Sequence, residues 1–263
     1  MMMESHLGER HCLNCRQSLR AAAQFCANCG HTTRASALVQ LQPESASPQS
    51  NFASHWNELK RVGWLFGLLL SISLGLGTIG RLSSSPWPST IASGFEVVIV
   101  LWFAGNRFKE VSPLLGIPRV DMRTVFELAI LSLVFVVLMT GYFALIERAG
   151  VPMIHVSAEY RKSGWNVGLM LVFISILPAV IEELAFRGVI QSSLEHIVSG
   201  RDAWLIQAAL FSVLHLLPIV FPSHFIMGLC FGYMRLRSKS LYPGMLLHGS
   251  WNALALFDEL YWS

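Results

Sequence analysis

Five stretches of this chain run for about the length of a membrane crossing, or longer, without an Asp, Glu, Lys or Arg. Val62 to Gly80, Leu128 to Ile146 and Ser163 to Ile181 are 19 residues each, Ala203 to Met234 is 32 and Ser240 to Phe257 is 18. A helix needs about 20 predominantly apolar residues to cross the hydrocarbon core, and it satisfies its own backbone polar groups while doing so. Charged residues are 13% of the 263 and mean hydropathy is +0.52, whereas a soluble domain carries about a quarter charged residues. A disordered chain, a coiled coil and an ordinary cytosolic enzyme are excluded. The expected fold class is all-α: a polytopic transmembrane bundle of about seven spans, with a small zinc ribbon at its N-terminus. The spans are expected near 62–80, 88–105, 123–146, 165–187, 203–217, 223–236 and 241–257. The second contains Glu96, and the fifth and sixth are short enough to be tilted or partly buried.

Basic residues set the orientation. With the N-terminus in the cytoplasm and seven alternating spans, 15 Lys and Arg fall on the cytoplasmic side, Arg187 among them, and 4 on the other, the bias of the positive-inside rule. The first apolar run begins only at Val62, too late for a signal peptide, so no cleaved presequence is expected. The reading is a multi-pass protein of a bacterial plasma membrane, N-terminus cytoplasmic, with the lipid bilayer as its surroundings.

Two cysteine pairs, Cys12/Cys15 and Cys26/Cys29, each have a two-residue gap. That gap lets both thiolates of one turn face one ion, and two such turns supply the four sulfurs of a structural zinc site. The Asn in each gap, and Gly30, suit tight turns whose N–H groups meet the sulfurs. A segment this short builds no core, so metal binding would supply its folding free energy. Two disulfides or redox-active pairs are the alternatives; the segment is expected in the cytoplasm, where disulfides are disfavoured. The segment resembles the minimal zinc-ribbon modules at the termini of bacterial membrane proteins. Such modules bind nucleic acid or protein; the expectation here is a protein partner and no nucleic acid. His11 and His31 flank the site without serving as ligands. The expected organisation is a zinc ribbon at 1–35, a flexible linker at 36–58, and a transmembrane protease domain at 59–263.

Ionisable groups inside a membrane are costly and mark function by default. The fourth span ends in Glu182 and Glu183, with Arg187 four residues on, so Glu183 and Arg187 share a face and can pair. Glu182 lies about 100° round the helix from its neighbour and can point into the bundle. Pro178 is expected to kink the helix one turn earlier. The fifth span carries Phe211 and His215; the seventh carries His248 and Asn252, one helical turn apart. Packed inward, a carboxylate and an imidazole can hold a water and take its proton, while a second imidazole and an amide donate to an oxyanion. Peptide hydrolysis is the chemistry such a set can run. Glu96, His224 and Ser212 belong to no motif and read as structural, and Cys230 as an apolar filler.

The three motifs read Glu182-Glu183-Leu-Ala-Phe-Arg187, Phe211-Ser-Val-Leu-His215 and His248-Gly-Ser-Trp-Asn252. Together they resemble the motifs of the CAAX-protease and bacteriocin-processing (CPBP) intramembrane protease family, over about residues 165 to 257. The resemblance implies that Glu182 is the water-activating base with His215 as its partner, that His248 and Asn252 form the oxyanion side, and that Glu183 and Arg187 support them. The implied substrate is a membrane-embedded or membrane-associated peptide or protein. Structural zinc in the ribbon is the expected cofactor; two His and a Glu can bind a metal, but no His-Glu-x-x-His occurs, so a catalytic metal stays open. The alternative functional readings are a non-catalytic immunity or scaffold protein with the same fold, and a proton-coupled transporter, for which no inverted repeat is visible.

Overall fold

The computed structural model describes residues 10–12, 14–19, 26, 28–29, 48–83, 85–118, 120–151 and 156–261. The chain divides into two compact units, Met1–Ala53 and Ser54–Ser263.

In the first unit, β1 (Arg10–His11) pairs antiparallel with β2 (Ser18–Leu19), Arg10 opposite Leu19 and His11 opposite Ser18. The connection is closed by Cys12 N–H to Gln17 O and Arg16 N–H to Cys12 O, both 2.8 Å, and Arg16 turns the chain at φ 59°. His31 lies outside the described residues, as does most of the stretch read as linker.

The second unit is helical. In chain order its elements are α1 (Pro48–Ile72), whose first six residues belong to the first unit, a π-helical segment Ser73–Gly77, α2 (Thr78–Ser83), α3 (Trp87–Gly105) and α4 (Phe108–Val111). After them come α5 (Met122–Arg148), α6 (Val156–Lys162), α7 (Val167–Met170), α8 (Leu177–Glu183) and α9 (Gln191–Glu195). The last three are α10 (Gly200–Leu214), α11 (Phe221–Ser238) and α12 (Tyr242–Tyr261). α1 starts inside the 36–58 stretch read as linker. Caps follow the residue types: Asp121 accepts from Thr124 N–H at 3.0 Å to start α5, and Ser199 accepts from Asp202 N–H at 3.2 Å to start α10, each satisfying a donor with no intrahelical partner.

Among the described residues, five helices are long and apolar enough to cross a membrane: Phe52–Gly80, Trp87–Gly105, Met122–Arg148, Val167–Glu195 and Pro218–Ser238. Helices also form at the two remaining expected spans. α10 has only 15 residues; α12 has 20, but His248, Asn252, Asp258 and Glu259 lower its hydropathy. The outer faces carry the apolar residues that lipid would cover: Trp64, Val98, Leu133 and Leu246 are all about two-thirds exposed.

The fourth span is broken twice by π-helix, at Leu171–Ile176 and Leu184–Ile190. The first sits just before Pro178, which lacks the N–H that a regular helix would use there, and such a π-turn is one of the places where a helix can bend. π-segments inside α-helices are frequent at functional sites, and the second contains Arg187.

α10 and α11 cross closely. A Cβ on Gly228 would stand 2.6 Å from Ala208 Cα, and Gln207 Nε2 donates to Gly228 O at 2.8 Å while Trp204 Nε1 donates to Leu229 O at 2.8 Å. Small residues allow such approaches in membrane bundles. Gly228→Ala must therefore push the helices apart; overpacking of this kind costs about 1–3 kcal/mol. A fall in the temperature at which detergent-solubilised protein loses its monodisperse elution is the expected result, and an unchanged temperature would count against this crossing.

Charged residues gather into ion pairs away from these faces. Glu58 pairs with Arg61 at 2.6 Å and Arg107 at 2.5 Å, Arg107 with Glu110, Glu195 with Arg235, and Glu127 with Arg237 at 2.6 Å. All four of these arginines belong to the set assigned to the cytoplasmic side. Arg187 does not behave as a surface topology determinant: its side chain is fully buried.

Candidate active site

The site is assembled from α8, the π-segment after it, α10 and α12. Glu183 and Arg187 make the expected pair, NH1 to Oε1 at 2.9 Å, with side chains 1% and 0% exposed. The guanidinium is held over the Phe211 ring at 4.4 Å and the Phe231 ring at 5.3 Å, a cation–π arrangement. α12 approaches at Gly244, where a Cβ would stand 2.9 Å from Glu183 Oε2. One turn on, His248 Nδ1 lies 3.2 Å from Glu183 Oε1 and its Nε2 3.8 Å from Glu182 Oε2. Its ring stacks on Phe231, centroids 5.2 Å apart. Glu183 thus sits between a guanidinium and an imidazole. Breaking a buried pair by removing one partner costs about 3–5 kcal/mol, so Arg187→Met should lower thermal stability sharply and Arg187→Lys less so; a melt unchanged in both variants would contradict the pairing.

His215 ends α10. The last carbonyls of a helix lack intrahelical donors, and His215 uses its ring there: Nδ1 meets Phe211 O at 2.9 Å. The carbonyl can only accept, so Nδ1 carries the hydrogen and Nε2 is left as an acceptor. Leu216 follows in the left-handed region at φ 56°, costly for a branched residue, and the turn that it makes stops the helix at the imidazole. Ser212, on the same helix, donates to Phe221 O at 2.6 Å and ties α10 to α11, a structural role. Cys230 is buried in the core.

A cavity of about 250 Å³ is lined by Glu182 and His215 together with Glu96, Ser73, Ser93, Leu69 and Leu216, among others. Glu182 Oε2 is buried and has no hydrogen-bond partner among the described residues. His248 meets Glu182 from α12. Asn252, a turn beyond His248, is half-buried and is not among the residues lining the cavity.

Two residues read as structural stand at the site. Glu96, on α3, lines the cavity with Glu182 and His215. His224, near the start of α11, lies with its ring centroid 3.7 Å from that of His215, and its Nδ1 meets Val220 O at 2.9 Å. The usable signal was the cost of burial: Glu96 is the only charge in its span, and an acid at that depth is a functional candidate by default. His224 repeats the His215 pattern, an imidazole bonded to the carbonyl four residues back.

In the first unit, Cys12, Cys15, Cys26 and Cys29 bring their sulfurs within 4.8 Å of one another, and none is in a disulfide. Cys12 and Cys29 sulfurs are 3.6 Å apart, Cys15 and Cys26 3.5 Å. A tetrahedron with ~2.3 Å metal–sulfur bonds has edges of about 3.8 Å, so the four fit one metal ion. The Cys15 thiol is brought down to about 6 chiefly by the backbone N–H of Gln17, with the Asn28 side chain next, which favours the thiolate a metal needs.

Fold and site together define a multi-pass helical membrane protein in which two carboxylates and an imidazole line one cavity, preceded by a small four-cysteine module that fits a metal ion. Residues 164–254 match the model of a protease family, described as type II CAAX prenyl endopeptidase Rce1-like. The matched stretch contains all three motifs and agrees with the resemblance drawn from them. It supports CAAX-type intramembrane protease activity on a membrane-associated peptide in a lipid environment. No curated protein and no solved structure matches the chain.

Proposed function

We propose that this protein is an intramembrane endopeptidase that hydrolyses peptide bonds of membrane-associated proteins or peptides through a water activated by Glu182 and His215. The observation that carries the reading is the shared cavity: Glu182 and His215 line it from different helices, and His248 stands 3.8 Å from Glu182. Glu182 takes a proton from the water as its oxygen attacks the scissile carbonyl. His215, fixed through Nδ1, accepts a hydrogen bond from the same water at Nε2. His248, 3.8 Å from Glu182, donates to the oxyanion; Asn252, one turn beyond it and outside the cavity lining, is the second donor only if bound substrate reaches that far along α12, and each such donor is worth roughly 3–4 kcal/mol. On collapse, Glu182 returns its proton to the leaving amine; the second proton of the water passes from the new carboxyl group to that amine, giving a carboxylate terminus and an ammonium. Glu183 and Arg187 hold His248 in place. The ribbon cysteines bind zinc, and the N-terminus is cytoplasmic, as is the bulk of the basic charge; residues 1–35 and 59–263 act as module and protease domain.

The experiment is direct. Full-length protein in lipid nanodiscs should convert a lipid-anchored peptide into two products whose masses sum to substrate plus one water, read by mass spectrometry. Intact substrate throughout a panel of lipidated peptides would remove the proposal.

A further inference from the structure

The cavity has lining of two kinds. Leu69, Val100, Ile181 and Leu214 make part of it apolar, whereas Ser73, Ser89, Ser93 and Glu96 make a polar strip supplied by the first two spans. Ser93 Oγ donates to Ser89 O at 3.1 Å, which leaves its lone pairs as acceptors. The strip therefore offers acceptors around a carboxylate.

The lining contains Glu96 and Glu182 and no Lys or Arg. Arg187 is taken by Glu183 and its aromatic clamp. Among the described residues Glu96 has no ion-pair partner, and a carboxylate at membrane depth with no cation beside it is expensive. The proposed catalytic chemistry assigns work to Glu182 and none to Glu96. A cation arriving with the substrate would compensate the acid. The space of about 250 Å³ falls below the roughly 300–1,000 Å³ of a pocket for a drug-sized ligand, so it suits one long side chain and the adjoining peptide.

We infer that Glu96 is the specificity residue of this site: it binds a Lys or Arg side chain of the substrate close to the bond cleaved, with the serine strip accepting the remaining N–H groups. The inference rests on the protease reading and adds the substrate class that the site selects, a cationic peptide rather than a wholly apolar one.

The test uses full-length protein in phosphatidylcholine nanodiscs, whose lipid carries no net charge. The probes are N-myristoylated, fluorescently labelled peptides of Leu, Ala and Ser, with a single Lys moved one position at a time, each paired with a norleucine twin. Binding is followed by anisotropy and cleavage by mass spectrometry in the same samples. At one or two adjacent positions the Lys peptide should bind wild type at least tenfold tighter than its twin, as expected of a charge-assisted hydrogen bond, and Glu96→Gln should shrink that ratio to about twofold or less. Equal binding of every pair by wild type overturns the inference, as would happen if protonated Glu96 merely donated to a peptide carbonyl. A Lys preference that survives Glu96→Gln overturns it too. The wild-type comparison stands even if the variant misfolds. Preference without cleavage would retain the Glu96 site and sink the protease reading; cleavage without preference would do the reverse.

Discussion

Glu182→Gln should abolish peptide cleavage while membrane insertion, abundance and elution profile stay those of wild type. The amide has nearly the shape of the carboxylate but cannot take a proton from water. A positioned general base contributes about 10²–10⁴ in rate, so the loss should reach at least hundredfold in kcat/KM, with substrate binding much less affected. His215→Ala should lose activity on the same scale for a different reason: the Nε2 acceptor disappears, and with it the ring packed against His224 at 3.7 Å between centroids. Product formation in nanodiscs is the measurement. Wild-type rates in either variant would remove that residue from the chemistry; wild-type rates in both would remove the Glu182/His215 catalytic assignment.

The second large effect lies in the cysteine module. Exchanging any of Cys12, Cys15, Cys26 or Cys29 for Ser should abolish stoichiometric zinc binding by the full-length protein. Binding of structural zinc is worth roughly 10–16 kcal/mol in modules that fold on the metal, and three sulfurs with one hydroxyl do not replace four. One zinc per chain by elemental analysis of wild type, and none in the variants, is the expected result. Acid acts in the same direction. The Cys15 thiol, brought down to about 6, stays largely thiolate at neutral pH, and protons compete with the metal as pH falls through that value. Zinc should therefore be retained at neutral pH and lost on acidification. Metal-free wild-type protein with four reactive thiols at neutral pH would contradict the zinc assignment.

Much of this architecture was legible because its signals are local. Apolar runs of helical length, built on a charge-free stretch in every expected span but the second, gave helices at all seven expected positions, the Cys-x-x-Cys pairs named their own cluster, and spacing by four residues paired Glu183 with Arg187. What was not legible depends on which faces meet. α12 carries the His248 site, yet the polar residues that make it useful are what lower its hydropathy. Arg187 looks like a basic residue at a membrane border until Phe211 and Phe231, 20 residues apart in the chain, close over it. Glu96 and His224 have no motif spacing because their neighbours are on other helices: Glu96 meets the cavity from α3, and His224 meets His215 across the α10–α11 connection. The π-segments also escaped: Pro178 marks where the helical hydrogen-bond ladder is interrupted, but not that a turn there widens, and nothing in residue type marks the other two.

At the centre of the account is the claim that Glu182 and His215 act on one and the same water. A double-mutant cycle on kcat/KM in nanodiscs tests it most directly, because residues that work as a unit lose function non-additively. The account predicts that Glu182→Gln combined with His215→Ala is about as slow as the slower single variant. Losses that multiply would mean that the two side chains act independently, and the shared-water mechanism would be wrong.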